Sequence, residues 1–115
     1  MYKMLIVDDE QMIRMGIKEG IEWKKMDIGE VYTAASASEA LRIIREERPE
    51  LMITDISMAE MTGLDLIREI RRRKYVIRII VLTGYDSFNY ARQCLKMQVQ
   101  NFLLKPVDEE ELTES

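Results

Sequence analysis

Apolar positions in this chain come in short blocks, and most of the blocks run straight into a reactive side chain. Met4-Leu5-Ile6-Val7 leads into Asp8-Asp9, Leu51-Met52-Ile53-Thr54 into Asp55, Ile79-Ile80-Val81-Leu82 into Thr83-Gly84, and Phe102-Leu103-Leu104 into Lys105-Pro106. Runs of this length read as strands buried on both faces, which predicts strands over Tyr2–Val7, Leu51–Asp55, Ile77–Leu82 and Asn101–Leu104. A shorter strand over Glu30–Ala35 ends in small residues rather than a reactive group, as an edge strand away from a site would.

Between the strands the apolar spacing changes to that of helices. Ile13, Ile17 and Ile21 mark one face of a helix over Glu10–Ile21, loosened and ended by Gly20 and the segment Trp23–Gly29. Ser38 is expected to cap a second helix that runs to about Arg48, buries Ala37, Ala40, Leu41 and Ile44, and stops at Pro49. After a loop over Ile56–Thr62 and a turn at Gly63, a third helix over Leu64–Lys74 puts Ile67 and Ile70 inward. Arg68, Arg71, Arg72 and Arg73 form its largely solvated face. A fourth helix, capped by Asp86 or Ser87, extends through Met97 with Phe88, Ala91 and Leu95 inward. Asp108 caps a last helix whose Glu109, Glu110 and Glu111 suit the positive end of its dipole. That helix is cut short at Ser115, well below the mean of about 11–12 residues, so a longer natural protein is expected.

Strand and helix thus alternate throughout, which with right-handed crossovers predicts an α/β doubly wound parallel sheet. At 115 residues this is one domain, 1–115. Composition narrows the function classes. Apolar residues make up 47% and charged residues 33%, the mix of a globular domain with a true core. No apolar run approaches the roughly 20 residues of a membrane span, and the strand pattern begins at once, leaving no room for a signal peptide. The single cysteine, Cys94, fits a reducing cytoplasm. A formal net charge of −4 gives no basic footprint for nucleic acid. The nine methionines suit an adaptable core or partner surface.

The chemistry gathers at one sheet edge. Ligands of doubly wound sheets bind beyond the C-terminal strand ends, where Asp8, Asp9, Asp55, Thr83 and Lys105 would meet. Crowded carboxylates repel, and a hard divalent cation relieves the repulsion. With no histidine in the chain, the donor set favours Mg²⁺ or Mn²⁺ over zinc. Metal, ammonium and hydroxyl together can hold the oxygens of a phosphoryl group, whose transfer needs mainly positioning and charge neutralisation. Asp55, central and followed by a loop, is the best nucleophile. Taken singly, each residue has an ordinary explanation as a cap or turn, and the case lies in the conjunction.

In this arrangement the chain resembles the receiver domain of two-component response regulators. The resemblance rests on Asp8-Asp9-Glu10, Asp55 with Met58 and Gly63, Thr83-Gly84 and Lys105-Pro106, and spans the whole chain. It implies a flavodoxin-like five-stranded sheet of order 2-1-3-4-5. It also implies a phosphoacceptor regulatory domain rather than a turnover enzyme, with self-catalysed phosphotransfer and slow loss of the phosphoryl group. Asp55 would accept phosphoryl from a sensor histidine kinase. Asp9, Asp55 and the carbonyl of Ser57 would ligate Mg²⁺, with Asp8 acting partly through water. Lys105 would contact the phosphoryl group, Thr83 would swing toward it, and Phe102 would turn inward. Ser57 and Tyr85 stand where the family tunes hydrolysis, and bulky Tyr85 is expected to shield the acyl phosphate.

Leu5–Glu10, Leu103–Val107 and Ile21-Glu22-Trp23 are similar to receivers whose full-length proteins carry a C-terminal helix-turn-helix DNA-binding module of the AraC type. The expected partners are therefore the kinase, that module, and a second copy on phosphorylation through a surface near Tyr90, Val99 and Phe102. No direct contact with nucleic acid or membrane is expected. Ala59 replaces the usual Pro and Gln98 a common Gly. The alternatives are a pseudo-receiver acting as a phosphorylation-independent interaction module, a flavin-binding flavodoxin relative, and an enzyme acting on small phosphate esters. The last two lack a Gly-rich phosphate loop and a second acid/base group, respectively.

Overall fold

The computed structural model describes residues 1–55, 63–83 and 101–104, the side chains of 63, 64, 83 and 101–104 excepted. The elements in order are β1 (Tyr2–Val7), α1 (Gln11–Gly20), a 3-10 turn (Trp23–Met26), β2 (Ile28–Ala34), α2 (Ala37–Glu47), β3 (Leu51–Asp55), α3 (Gly63–Arg72), β4 (Arg78–Thr83) and β5 (Asn101–Leu104). The strands form one 5-stranded sheet in the order β2-β1-β3-β4-β5, with every pair parallel. This is the expected doubly wound, flavodoxin-like sheet. The fourth and last predicted helices, Ser87–Met97 and the one begun at Asp108, lie outside the described residues, as does the loop over Ile56–Thr62.

Because successive strand residues face opposite ways, the apolar runs build two cores at once. Leu5, Val7, Met52, Ile79 and Val81 pack on one face with Ala40, Ile44, Leu66, Ile67 and Ile70 of α2 and α3. Met4, Ile6, Ile53, Ile80 and Leu82 pack on the other with Ile17 of α1 and with Ile21, Trp23 and Ile28. A continuous apolar run, rather than an alternating one, is what burial on both faces demands.

Three local readings need correction. First, Ser36, not Ser38, caps α2. The Glu39 N–H donates to Ser36 Oγ at 3.2 Å, while the Glu39 carboxylate accepts the Ala35 N–H at 3.3 Å. The Ser-x-x-Glu spacing of Ser36 and Glu39 is a capping signature that outweighs the lone serine two residues later. Ser36→Ala is expected to lower stability by about 1 kcal/mol, read as a lower urea midpoint with an unchanged slope. Second, Ile43 joins Ala37, Ala40 and Ile44 in the buried stripe of α2, and Leu41 is only partly buried. Third, Trp23–Gly29 is not merely a breaker. Trp23 closes the end of α1 by donating its indole N–H to the Lys18 carbonyl at 2.8 Å, and β2 begins at the buried Ile28, ahead of the predicted start.

Elsewhere, Arg48 ends α2 in the left-handed region, at φ 52°, with its guanidinium 5.1 Å from the centre of the Tyr75 ring. On α3 the basic run forms ion pairs along the helix, Arg68 with Asp65 and both Arg72 and Arg73 with Glu69. The hydrogen bonds from Arg72 and Arg73 hold the Glu69 carboxyl down at about 2. A carboxyl whose value falls on folding contributes stability above its unfolded value, and the contribution is lost as pH falls toward the folded one. The difference in melting temperature between the wild type and Glu69→Gln should therefore shrink between about pH 5 and pH 2, and shrink in high salt at neutral pH.

Candidate functional site

The register of the sheet sets the site. Val7 pairs with Thr54, Asp55 with Leu82, and Thr83 with Leu104. Asp8 follows directly on β1, its N–H donating to the Ala34 carbonyl of β2 at 3.2 Å. Asp8 therefore stands beside Asp55 at the C-terminal edge. Strand alternation gives Asp8 the parity of Met4 and Ile6, and Asp55 that of Ile53, so both carboxylates leave the sheet on the α1 face. Both are buried, while Asp9 is exposed at the mouth.

Asp8, Asp9 and Asp55 each offer a carboxylate oxygen within 4.8 Å of the others. Local bonds hold this geometry. The Glu10 N–H donates to Asp8 Oδ1 at 2.9 Å, and Arg14 Nη1 donates to the Asp8 carbonyl at 2.7 Å. Thr54 Oγ1, buried on the opposite face, donates to the Asp55 carbonyl at 3.0 Å and fixes the end of β3. Two buried carboxylates with a third at the rim are an all-oxygen, anionic donor set. That set suits a hard divalent cation that keeps several waters, with room left for the oxygens of a bound anion.

Of the residues singled out from the sequence, the fold brings together Asp8, Asp9 and Asp55. The backbone of Thr83 ends β4 beside β3, and Leu104, the residue before Lys105, pairs with it. Phe102 of β5 pairs with Val81 of β4. Ser57, Tyr85 and Lys105 lie outside the described residues. Arg14 was not singled out from the sequence. Its signal there is weak, an arginine one turn into the helix that follows the acid pair. The cavity of about 530 Å³ lined by Tyr2, Met4, Leu51, Ile77 and Arg78 opens at the other end of the strands and belongs to no part of this cluster.

A 2-1-3-4-5 parallel sheet defines the class of flavodoxin-like α/β domains, whose ligand crevice lies beyond the C-terminal strand ends, where this acid cluster stands. Comparison makes this specific. The family described as the response regulator receiver domain matches residues 4–115. The chain belongs to that family. It is 42% identical over 112 residues to an uncharacterized response regulatory protein of Staphylococcus epidermidis, and 40% identical over the same length to the transcriptional regulatory protein HptR of Staphylococcus aureus. Those alignments cover 97% of this chain but 44% of each relative, so the chain spans under half their length. Among solved structures it resembles the REC domain of AraT, a response regulator from Geobacillus stearothermophilus. The TM-score is 0.90 at 40% identity, covering 98% of this chain and 88% of that one. A two component transcriptional regulator AraC from Clostridium phytofermentans gives a TM-score of 0.89 at 27% identity, covering 99% of this chain and 88% of that one. Among the described residues no helix is long and apolar enough to cross a membrane.

Proposed function

We propose that this domain is a phosphorylation switch in which Asp55 accepts a phosphoryl group from the phosphohistidine of a sensor histidine kinase. The observation that carries the reading is the convergence of Asp8, Asp9 and Asp55 at the sheet edge of a receiver domain. An Asp55 carboxylate oxygen attacks phosphorus in line. The new O–P bond forms as the P–N bond to the kinase histidine breaks, and the ring nitrogen keeps the electron pair. Asp9, Asp55 and the Ser57 carbonyl would hold Mg²⁺, or Mn²⁺ in its place, with Asp8 acting partly through water. The cation, when bound, neutralises charge on the transferring group. Lys105 would pair with the phosphoryl oxygens and Thr83 would donate a hydrogen bond to one of them. The added charge of about −1.5 to −2 would then bias the surface that includes Phe102.

The likeness to regulators called transcriptional, one of them named AraC, supports an attached DNA-binding module of that type. The reading extends to dimerisation on phosphorylation and a cytoplasmic setting. Incubation with acetyl phosphate and Mg²⁺, read by intact mass, tests the central step. One phosphoryl adduct that forms only with the metal supports it, and no adduct under any condition would favour the pseudo-receiver. The same adduct should decay several-fold faster in Tyr85→Ala, and equal decay would remove the shielding role from Tyr85.

A further inference from the structure

Arg14 sits one turn into α1 and reaches back to the acid loop, donating from Nη1 to the carbonyl of Asp8 at 2.7 Å. Its own N–H donates to the Glu10 carbonyl at 3.1 Å, so its backbone is tied into the turn that opens the helix. Asp8 is thereby gripped from three sides. β2 takes its N–H through Ala34, α1 takes its carbonyl through Arg14, and the loop takes its Oδ1 through the Glu10 N–H.

We infer that Arg14 is a positioning residue for the acid cluster, fixing the backbone from which the Asp8 and Asp9 carboxylates converge on Asp55. The inference rests on the Mg²⁺ reading of the site given above. Three carboxylate oxygens within 4.8 Å repel one another, and the segment Asp8–Glu10 belongs to neither strand nor helix. A bond from α1 to the Asp8 carbonyl opposes the outward drift that repulsion favours. It acts on the backbone, so it sets the origin of the Asp8 side chain and, one residue on, that of Asp9.

A positioning role and a plain charge effect predict opposite signs. A guanidinium near an anionic site weakens cation binding through space, so removing it for charge alone would tighten Mg²⁺ binding. Removing a group that orients ligands weakens binding, characteristically by 10- to 100-fold. Titration of the wild-type chain, Arg14→Met and Arg14→Lys with Mg²⁺ by calorimetry separates the two. Arg14→Met is expected to weaken binding by about tenfold, and Arg14→Lys, which keeps one donor, to recover part of the loss. Unchanged or tighter binding in Arg14→Met would overturn the inference.

A second measurement uses no metal. In metal-free protein the Glu10 amide should exchange with deuterium several-fold faster in Arg14→Met while the amides of Ile6 and Ile53 are unchanged. Equal Glu10 exchange would also overturn the inference. Failure of the wild type to take up Mg²⁺ would instead sink the metal reading, and the exchange result would still decide whether Arg14 holds the loop. Should Arg14→Met not fold, Arg14→Leu, which also lacks a donor, carries the same comparison.

Discussion

Asp55→Asn should take up no phosphoryl group from acetyl phosphate and Mg²⁺, where the wild type gains one. The amide is close to isosteric with the carboxylate, so the strand end and its Thr54 bond are retained, but its nitrogen is no nucleophile and one negative charge leaves the cluster. Mg²⁺ affinity should fall in the same variant, because a hard cation loses one of its anionic ligands. Intact mass and calorimetry read the two effects separately, and circular dichroism confirms that the variant is folded. Persistence of a full adduct on Asp55→Asn would move the acceptor to another side chain and remove the basis of the proposed function.

The second large effect is structural. Ile53→Ala should destabilise the domain by about 2–5 kcal/mol, a large share of the roughly 5–15 kcal/mol that holds a domain of this kind together. Ile53 is fully buried at the centre of the sheet, with Ile6 of β1 and Ile80 of β4 as its register partners. It belongs to the core that α1 closes through Ile17. The strand cannot move to fill the void without shifting Asp55, two residues on, so the cavity should persist. A urea or thermal melt reads the loss, expected as a fall in midpoint of order 10 °C or more. A loss below about 1 kcal/mol would mean that this face is loosely packed.

The strands were the most legible part of the chain. Tyr2–Val7, Leu51–Asp55 and Asn101–Leu104 form over the predicted residues; in β1 and β3, burial on both faces writes an uninterrupted apolar run that polar residues then end. Helix ends were less legible. A cap depends on which hydroxyl reaches an amide three residues on, and Ser36 and Ser38 compete for that role within one short segment. Trp23 was hidden for a different reason. Glycines and charges around it suggest a loop, and its burial depends on a pocket made by β1, β2 and α1 together.

By itself, the order of residues determined the alternation of strand and helix, the parallel sheet, and the placing of a carboxylate or hydroxyl after several strands. These are local matters of periodicity and spacing, which the chain carries wherever it goes. Only the tertiary structure decided that carboxylate oxygens of Asp8, Asp9 and Asp55 stand within 4.8 Å of one another and that Arg14 bonds to the carbonyl of Asp8. Asp9 and Asp55 are far apart in sequence, and their meeting depends on the pairing of β1 with β3 in one register. A slip of one residue would turn Asp55 to the other face of the sheet.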